Sequence, residues 1–446
     1  MTAAMLKKYE EHFSDSQTFE YLHKPVDKAG DRNVMHNAHL RGKGKTVWYK
    51  SKWENLEARA TANDPEKVEY KSKIFPYHSL LSVVIITKTP HIKAKEGYQI
   101  RFCDDLLINS VKEFSIRLND VDLLDRPYNQ QFLACYLKEH ENWEVFSEEL
   151  GNRDTLTGWA DELISEDISM ILPYFFMQDK SDAFPVKYCG VQDTLSMHVE
   201  YDLQLSERLL ISDTEGNRVP FSYDHIEVEA NMELLKVPDM DGRYTTLLPS
   251  DVDVYDSKLD ETEDGKEMFV EGIYYFEDEN EIQLGKKVQL KFDHRSNQPV
   301  HHMFWGAMNK THEEREKSLC FSTEGESPVK RITKLTSTVG TELDNSHHYR
   351  EERAHHLLTS HPSRFNIGKW YNSVDRRERG KKLTPGIKFN GGSLVLQLKD
   401  KDSEDKFVVF AILTYVKRFR FKTYPKTQEE RLIKGCTLEV DDDRKG

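Results

Sequence analysis

Apolar and polar residues alternate with a period of two along most of this chain. Phe114, Ile116 and Leu118 fall on one parity and Ser115, Arg117 and Asn119 on the other. Leu195, Met197, Val199 and Tyr201 interleave in the same way with Ser196, His198, Glu200 and Asp202. The alternation returns at 226–230, 288–292, 394–398 and 419–421. A strand turns successive side chains to opposite faces, so each segment predicts a short strand with one buried and one polar face. That is the habit of antiparallel sandwiches. Two stretches break the rule, Leu80 to Ile86 and Phe407 to Leu413. They are apolar at nearly every position and predict central strands covered on both sides. Clusters of Gly, Pro, Asn and Asp punctuate the strands. The alternating strand–helix rhythm of a doubly wound nucleotide fold is missing, and the predicted class is all-β.

Two patches carry helical spacing instead. Met5, Leu6, Tyr9 and Phe13 predict an amphipathic N-terminal helix. Phe132, Tyr136, Trp143, Phe146 and Leu150 predict a second over 129–150, with Gly151 as its stop.

Composition changes this picture in three ways. A length of 446 residues with 37% hydrophobic content supports two domain-sized cores. A turn-rich stretch around Val237 to Pro249 predicts the boundary near residue 245. The net charge of −14 argues against a chain that coats nucleic acid, which needs clustered Lys and Arg. Cys103, Cys135, Cys189, Cys320 and Cys436 form no CxxC pair, which predicts thiols in a reducing compartment rather than zinc or disulfide scaffolding. The opening MTAAMLKKYEEHF is charged, unlike a signal peptide, and the longest apolar run, Phe407 to Val416, is too short for a membrane helix.

Candidate chemistry is sparse. Gly44-Lys45-Thr46 has the tail of a phosphate-binding loop, but His39 stands where the loop needs its first glycine, so a basic turn is expected. Eight of the 18 histidines lie between His301 and His361, and Glu352–His355 and Glu20–His23 have i, i+3 spacing. Metal sites use such spacing within helix bundles, which this pattern does not predict, so polar loop histidines are expected. Asn309-Lys310-Thr311 is a glycosylation sequon that chance alone explains. The segment 251–281 holds thirteen acids and two lysines, whereas 369–382 and 417–434 are basic with interleaved aromatics. Complementary charge between copies of the chain is the favoured use, ahead of a nucleic-acid groove. No residue is assigned a catalytic, cofactor-binding or metal-binding role.

Several segments, in order, resemble the major capsid protein of large icosahedral DNA viruses of the iridovirus, chlorovirus and marseillevirus kind. The clearest is Ile171-Leu-Pro-Tyr-Phe-Phe-Met-Gln-Asp-Lys-Ser-Asp-Ala-Phe-Pro185, followed by Val191 to Tyr201 and by Glu207-Arg-Leu-Leu-Ile211. Asp105 to Asp120 is similar to a strand pair that precedes an inserted helix. Pro299 to Trp305, Lys388 to Leu398 and Val408 to Phe421 resemble later strands of the same family. In the first segment Ser181-Asp182 replaces the family's usual glycine. The resemblance spans about residues 45–424.

It implies a double jelly roll, two consecutive eight-stranded sandwiches with an inserted helix and long loops. The implied division is an N-terminal arm at 1–45, a first jelly roll at 46–245, a second at 246–424 and a tail at 425–446. The implied function is a non-enzymatic major capsid protein. Homotrimers would form pseudo-hexagonal capsomers of an icosahedral virion shell, contacting neighbouring capsomers and, on the inner face, minor capsid proteins. Neither direct nucleic-acid contact nor a transmembrane segment is expected, and assembly is expected in host cytoplasm. The arm would lie inside, and the loops 251–281 and 306–361 would form outer turrets or intersubunit straps. The rivals are a minor capsid or scaffold paralogue and a non-viral sandwich binding a metal or glycan through the His301–His361 cluster.

Overall fold

Among the described residues, a computed structural model shows two sandwiches of eight antiparallel strands with the same internal order, accompanied by two small three-stranded sheets. The structure describes residues 18–20, 45–52, 54–55, 67–73, 78–119, 121–138, 143–177, 184, 193–228, 237–247, 266–293, 300–337, 342–344, 368–371, 388–400, 404–421 and 438–440. The first set comprises β1 (Lys45–Lys52), β2 (Lys67–Lys73), β3 (His78–Lys88), β4 (Val111–Leu118), β5 (Tyr128–Asn129), β6 (Asp167–Ile171), β7 (Thr194–Tyr201) and β8 (Asp239–Leu247). Its two sheets run β1-β8-β3-β6 and β5-β4-β7-β2. The second set comprises β9 (Lys266–Glu277), β10 (Lys287–Lys291), β11 (Val300–Asn309), β12 (Val329–Thr336), β13 (Glu342–Asp344), β14 (Gly368–Tyr371), β15 (Ser393–Leu398) and β16 (Lys406–Phe421). Its sheets run β9-β16-β11-β14 and β10-β15-β12-β13, the same permutation strand for strand. In both sets the first strand pairs with the last and the second with the seventh. This is the jelly-roll wrapping of a long hairpin around a sandwich, twice in one chain.

Burial follows the predicted alternation. Val288 and Leu290 on β10, and Leu394, Leu396 and Leu398 on β15, face the second core while their neighbours face outward. The continuous apolar runs have a specific cause. On β16, Phe407, Val409, Ala411, Leu413 and Tyr415 close the second core. From the opposite face Val408, Phe410 and Ile412 join the core of the first set. One strand thus seals two cores, and polar residues on either face would be stranded without water.

Among the described residues, the longer helices between strands are α1 (Leu106–Ser110), α2 (Gln130–Lys138), α3 (Trp143–Glu149) and α4 (Lys310–Glu316), and Asp154–Thr157 and Leu205–Arg208 form two further single turns. The predicted helical patch over 129–150 is therefore two helices. Asn129 Oδ1 accepts from Phe132 N at 2.9 Å to cap α2, and Gly151, at φ 105°, terminates α3. The expected strand pair over Asp105 to Asp120 is corrected. Its first half is α1, whose five residues are all buried. Ser110 Oγ donates to Leu106 O at 2.7 Å and Asn109 Nδ2 donates to Asp105 O at 3.1 Å, so these polar side chains bond back to their own helix.

The two long loops are corrected as well. Residues 266–277 of the acidic segment form β9, and 306–361 contains the end of β11, α4, β12 and β13. Strand β9 runs antiparallel to β16 with Glu267 opposite Arg420 and Val270 opposite Lys417. Within the described residues, one acid of the acidic segment, Glu267, thus stands in register with one base of the late basic stretch, Arg420, inside a single chain. Thr18–Glu20 pairs with β1 and Leu438–Val440 pairs with β16, so the regions read as arm and tail each add a short strand. The predicted helix at 5–13 lies outside the described residues.

Candidate functional site

The segment that carried the sequence resemblance builds the junction between the two units. After β6, the Leu-Pro-Tyr-Phe-Phe run turns into a 3-10 helix at Phe175–Met177, and Tyr174, Phe175 and Phe176 are buried. Tyr174 stacks on Phe176 at 5.4 Å and meets Phe114 edge-on at 5.2 Å, and its hydroxyl donates to Ser115 O at 3.1 Å. Burial holds that phenol far above its ordinary pKa, so it remains a neutral donor. Phe184 bonds to the β3 backbone through Leu80 in both directions.

From the second unit, β9 and β16 lie against this aromatic column. Tyr128 stacks on Phe132 at 4.6 Å, and its hydroxyl donates to the carbonyl of Glu271. Asp125 accepts from the Tyr415 hydroxyl at 2.8 Å and pairs with Lys417. Tyr415 in turn stacks on Tyr274 at 4.4 Å directly over Gly272. Gly272 is required there, because a Cβ would sit 2.3 Å from the ring.

Helix α4 fastens the second unit to the first from the other side. Glu316 accepts from Arg101 at 2.7 Å, from Arg315 at 3.0 Å and from Arg218. Burial would raise the Glu316 pKa, but the bonds from Arg218 and Arg101 outweigh it and hold the carboxyl below its usual range. Arg101 and Arg218 both lie over the Trp159 ring, at 5.5 and 4.4 Å. Burial also lowers the His312 pKa despite nearby Glu316. Trp159 is also one of the large exposed apolar side chains among the described residues, with Ile164 and Tyr223.

The residues singled out in the sequence scatter. His301 and His302 lie on β11 and His312 on α4, not in loops as expected, while His347, His348, His355, His356 and His361 fall outside the described residues. Glu352 also falls outside, as do His23 and residues 41–44. Lys45 and Thr46 are on β1, a strand rather than the helix a phosphate-binding loop needs. Among the described residues no three His, Cys, Asp or Glu side chains converge to hold a metal. Asn309 is buried and caps α4, its Oδ1 accepting from His312 N at 2.9 Å and its Nδ2 donating to Asp405 at 3.0 Å. A sequon asparagine committed in this way cannot take a glycan in the folded chain. Cys103 is buried and its thiol is pushed up to about 12, which leaves it unreactive. The Arg101–Glu316–Arg218 clamp gave no signal in the sequence, because Arg101 and Glu316 are 215 positions apart.

No family model and no curated protein sequence matches the chain. Solved structures do. The PBCV-1 virus capsid protein shares 9% identity with a TM-score of 0.58, covering 90% of this chain and 98% of the other. The Faustovirus major capsid protein shares 8% identity with a TM-score of 0.58, over 86% and 92%. A chain of the Sputnik virophage structure shares 8% identity with a TM-score of 0.53, over 93% and 95%. The chain therefore has the double jelly-roll fold of viral major capsid proteins, over nearly the full length of both partners.

Proposed function

We propose that the chain is a major capsid protein, a structural subunit without catalytic activity. In this reading three copies place six sandwiches around one axis as a pseudo-hexagonal capsomer. Capsomers tile the icosahedral shell of a large double-stranded DNA virus assembled in host cytoplasm. Minor capsid proteins bind the inner face, and no nucleic acid is gripped directly. The chain divides into an arm at 1–45, jelly rolls at 46–245 and 246–424, and a tail at 425–446.

The observation that carries this reading is the repeated strand order, β1-β8-β3-β6 and β9-β16-β11-β14, with the two units locked by a shared apolar face. Two like sandwiches held at a fixed angle are a building block whose threefold repetition closes a near-sixfold ring. The Leu-Pro-Tyr-Phe-Phe run supports it further, since the stretch that resembles the family in sequence makes that lock. Electron microscopy of particles containing this chain tests the proposal. Hexagonally packed capsomers whose volume is filled by three copies are expected. Particles whose shell density is accounted for by another protein would overturn the major-capsid role and leave a minor or scaffold role.

A further inference from the structure

A buried amine and carboxylate meet a half-buried carboxamide beside the junction. Lys138 ends α2, Asp105 immediately precedes α1, and Asn152 follows the turn that ends α3. Lys138 Nζ is 2.5 Å from Asp105 Oδ2, and both side chains are nearly shut off from solvent, at 10% and 8% exposure. Asn152 Nδ2 donates to the other carboxylate oxygen, Asp105 Oδ1, at 2.6 Å. The Asp105 main-chain N–H donates back to Asn152 Oδ1 at 2.6 Å. The rings of Trp143 and Phe321 lie 5.8 and 6.0 Å from the Lys138 nitrogen.

The backbone is bent to make this meeting. Asp105 is left-handed at φ 54°, uncommon outside glycine. Gly151 has φ 105°, and a Cβ there would lie 3.3 Å from Leu106 Cβ, so the turn that delivers Asn152 needs glycine. An ion pair alone would use only Lys138 and Asp105. The third group is an electrophile whose oxygen is already polarised by a main-chain donor and whose nitrogen shares the Asp105 carboxylate with a shielded amine.

We propose that Lys138 and Asn152 become joined by an intramolecular isopeptide bond, with Asp105 as the proton carrier. Asp105 takes a proton from the Lys138 ammonium, and the released lone pair attacks Asn152 Cγ. The Asp105 N–H stabilises negative charge developing on Asn152 Oδ1, as an oxyanion donor does. Asp105 returns the proton to Asn152 Nδ2, the Cγ–Nδ2 bond breaks, and ammonia departs with the remaining amine proton. An alkylammonium and a carboxamide become a secondary amide and an ammonium ion, with no oxidant, metal or added reactant. Proximity and exclusion of water replace an external enzyme. The bond would tie α2 to the turn after α3, bracing the insertion on which the second unit rests. It stands independently of the capsid reading.

Denaturing mass spectrometry of the purified full chain, with a tryptic map, tests this. The expected result is a mass lower than that of the sequence by one ammonia, and a branched peptide containing Lys138 and Asn152 that trypsin does not cut after Lys138. Lys138→Arg and the near-isosteric Asp105→Asn should each restore the full mass and the linear peptides. Linear wild-type peptides ending at Lys138 would overturn the proposal. So would a branched peptide formed by loss of water, which would join Lys138 to Asp105 instead.

Discussion

Gly272 lies on β9 under the Tyr415 ring, and no side chain fits between them. Tyr415 cannot swing aside without giving up its stack on Tyr274 and its bond to Asp125. Gly272→Ala is therefore expected to destabilise the chain by about 1–3 kcal/mol, the usual penalty of overpacking. Chemical denaturation of the wild type and variant checks it, and equal midpoints would refute the packing account. Asn309 makes a second residue-scale case. Replacing it by Ala removes the α4 cap and strands buried partners, for an expected loss of about 1–2 kcal/mol. The same commitment explains why its sequon should stay unmodified even when the chain is sent through a glycosylating pathway. Neither role is visible in sequence. A lone glycine in an acidic stretch and a chance triplet become informative only once Tyr415 and Asp405 arrive from more than ninety positions away.

At the scale of elements, α4 is the piece most open to test. It holds the first unit through Glu316, whose charge meets Arg101 and Arg218. Glu316→Gln keeps the shape and removes the charge, and is expected to lose about 1.5–3 kcal/mol. The pH dependence has a definite sign. Glu316 and His312 both have depressed pKa values in the fold. Each then contributes stability that is full above its unfolded pKa and lost as pH falls through the folded value. The histidine contribution starts to fade below about pH 6.5 and the carboxylate contribution below about pH 4.3. Amide exchange of α4 should rise as pH is lowered, after correction for intrinsic rates, and should rise earlier in Glu316→Gln. Exchange that is flat from neutral pH to pH 4 would contradict the clamp.

Most strands were legible because period two is a local signal. Strand β9 is hidden by its acids, and only the fold shows that Glu271 within it is buried. Helix α1 leaves no local signal because a five-residue apolar run has no resolvable period, and the resemblance implies a strand there. The clamp and the Asp125–Tyr415 contact join residues hundreds of positions apart, and nothing local announces them.

For the whole molecule, the consequential feature is that one strand serves two cores. Because β16 gives alternate side chains to each unit, neither can unfold without exposing the other's apolar face. A single cooperative calorimetric transition is expected, and two well-separated transitions would contradict the shared core. Rigidity of this kind suits a subunit that must present two sandwiches at a fixed angle. The chain's net charge of −14 fits a solvated outer surface. The central claim, that the chain builds shells as a trimer, is tested most directly by light scattering on the purified full-length protein. The account predicts a stable species of three times the 52.2 kDa chain mass. A chain that stays at its monomer mass at every concentration up to its solubility limit would contradict it.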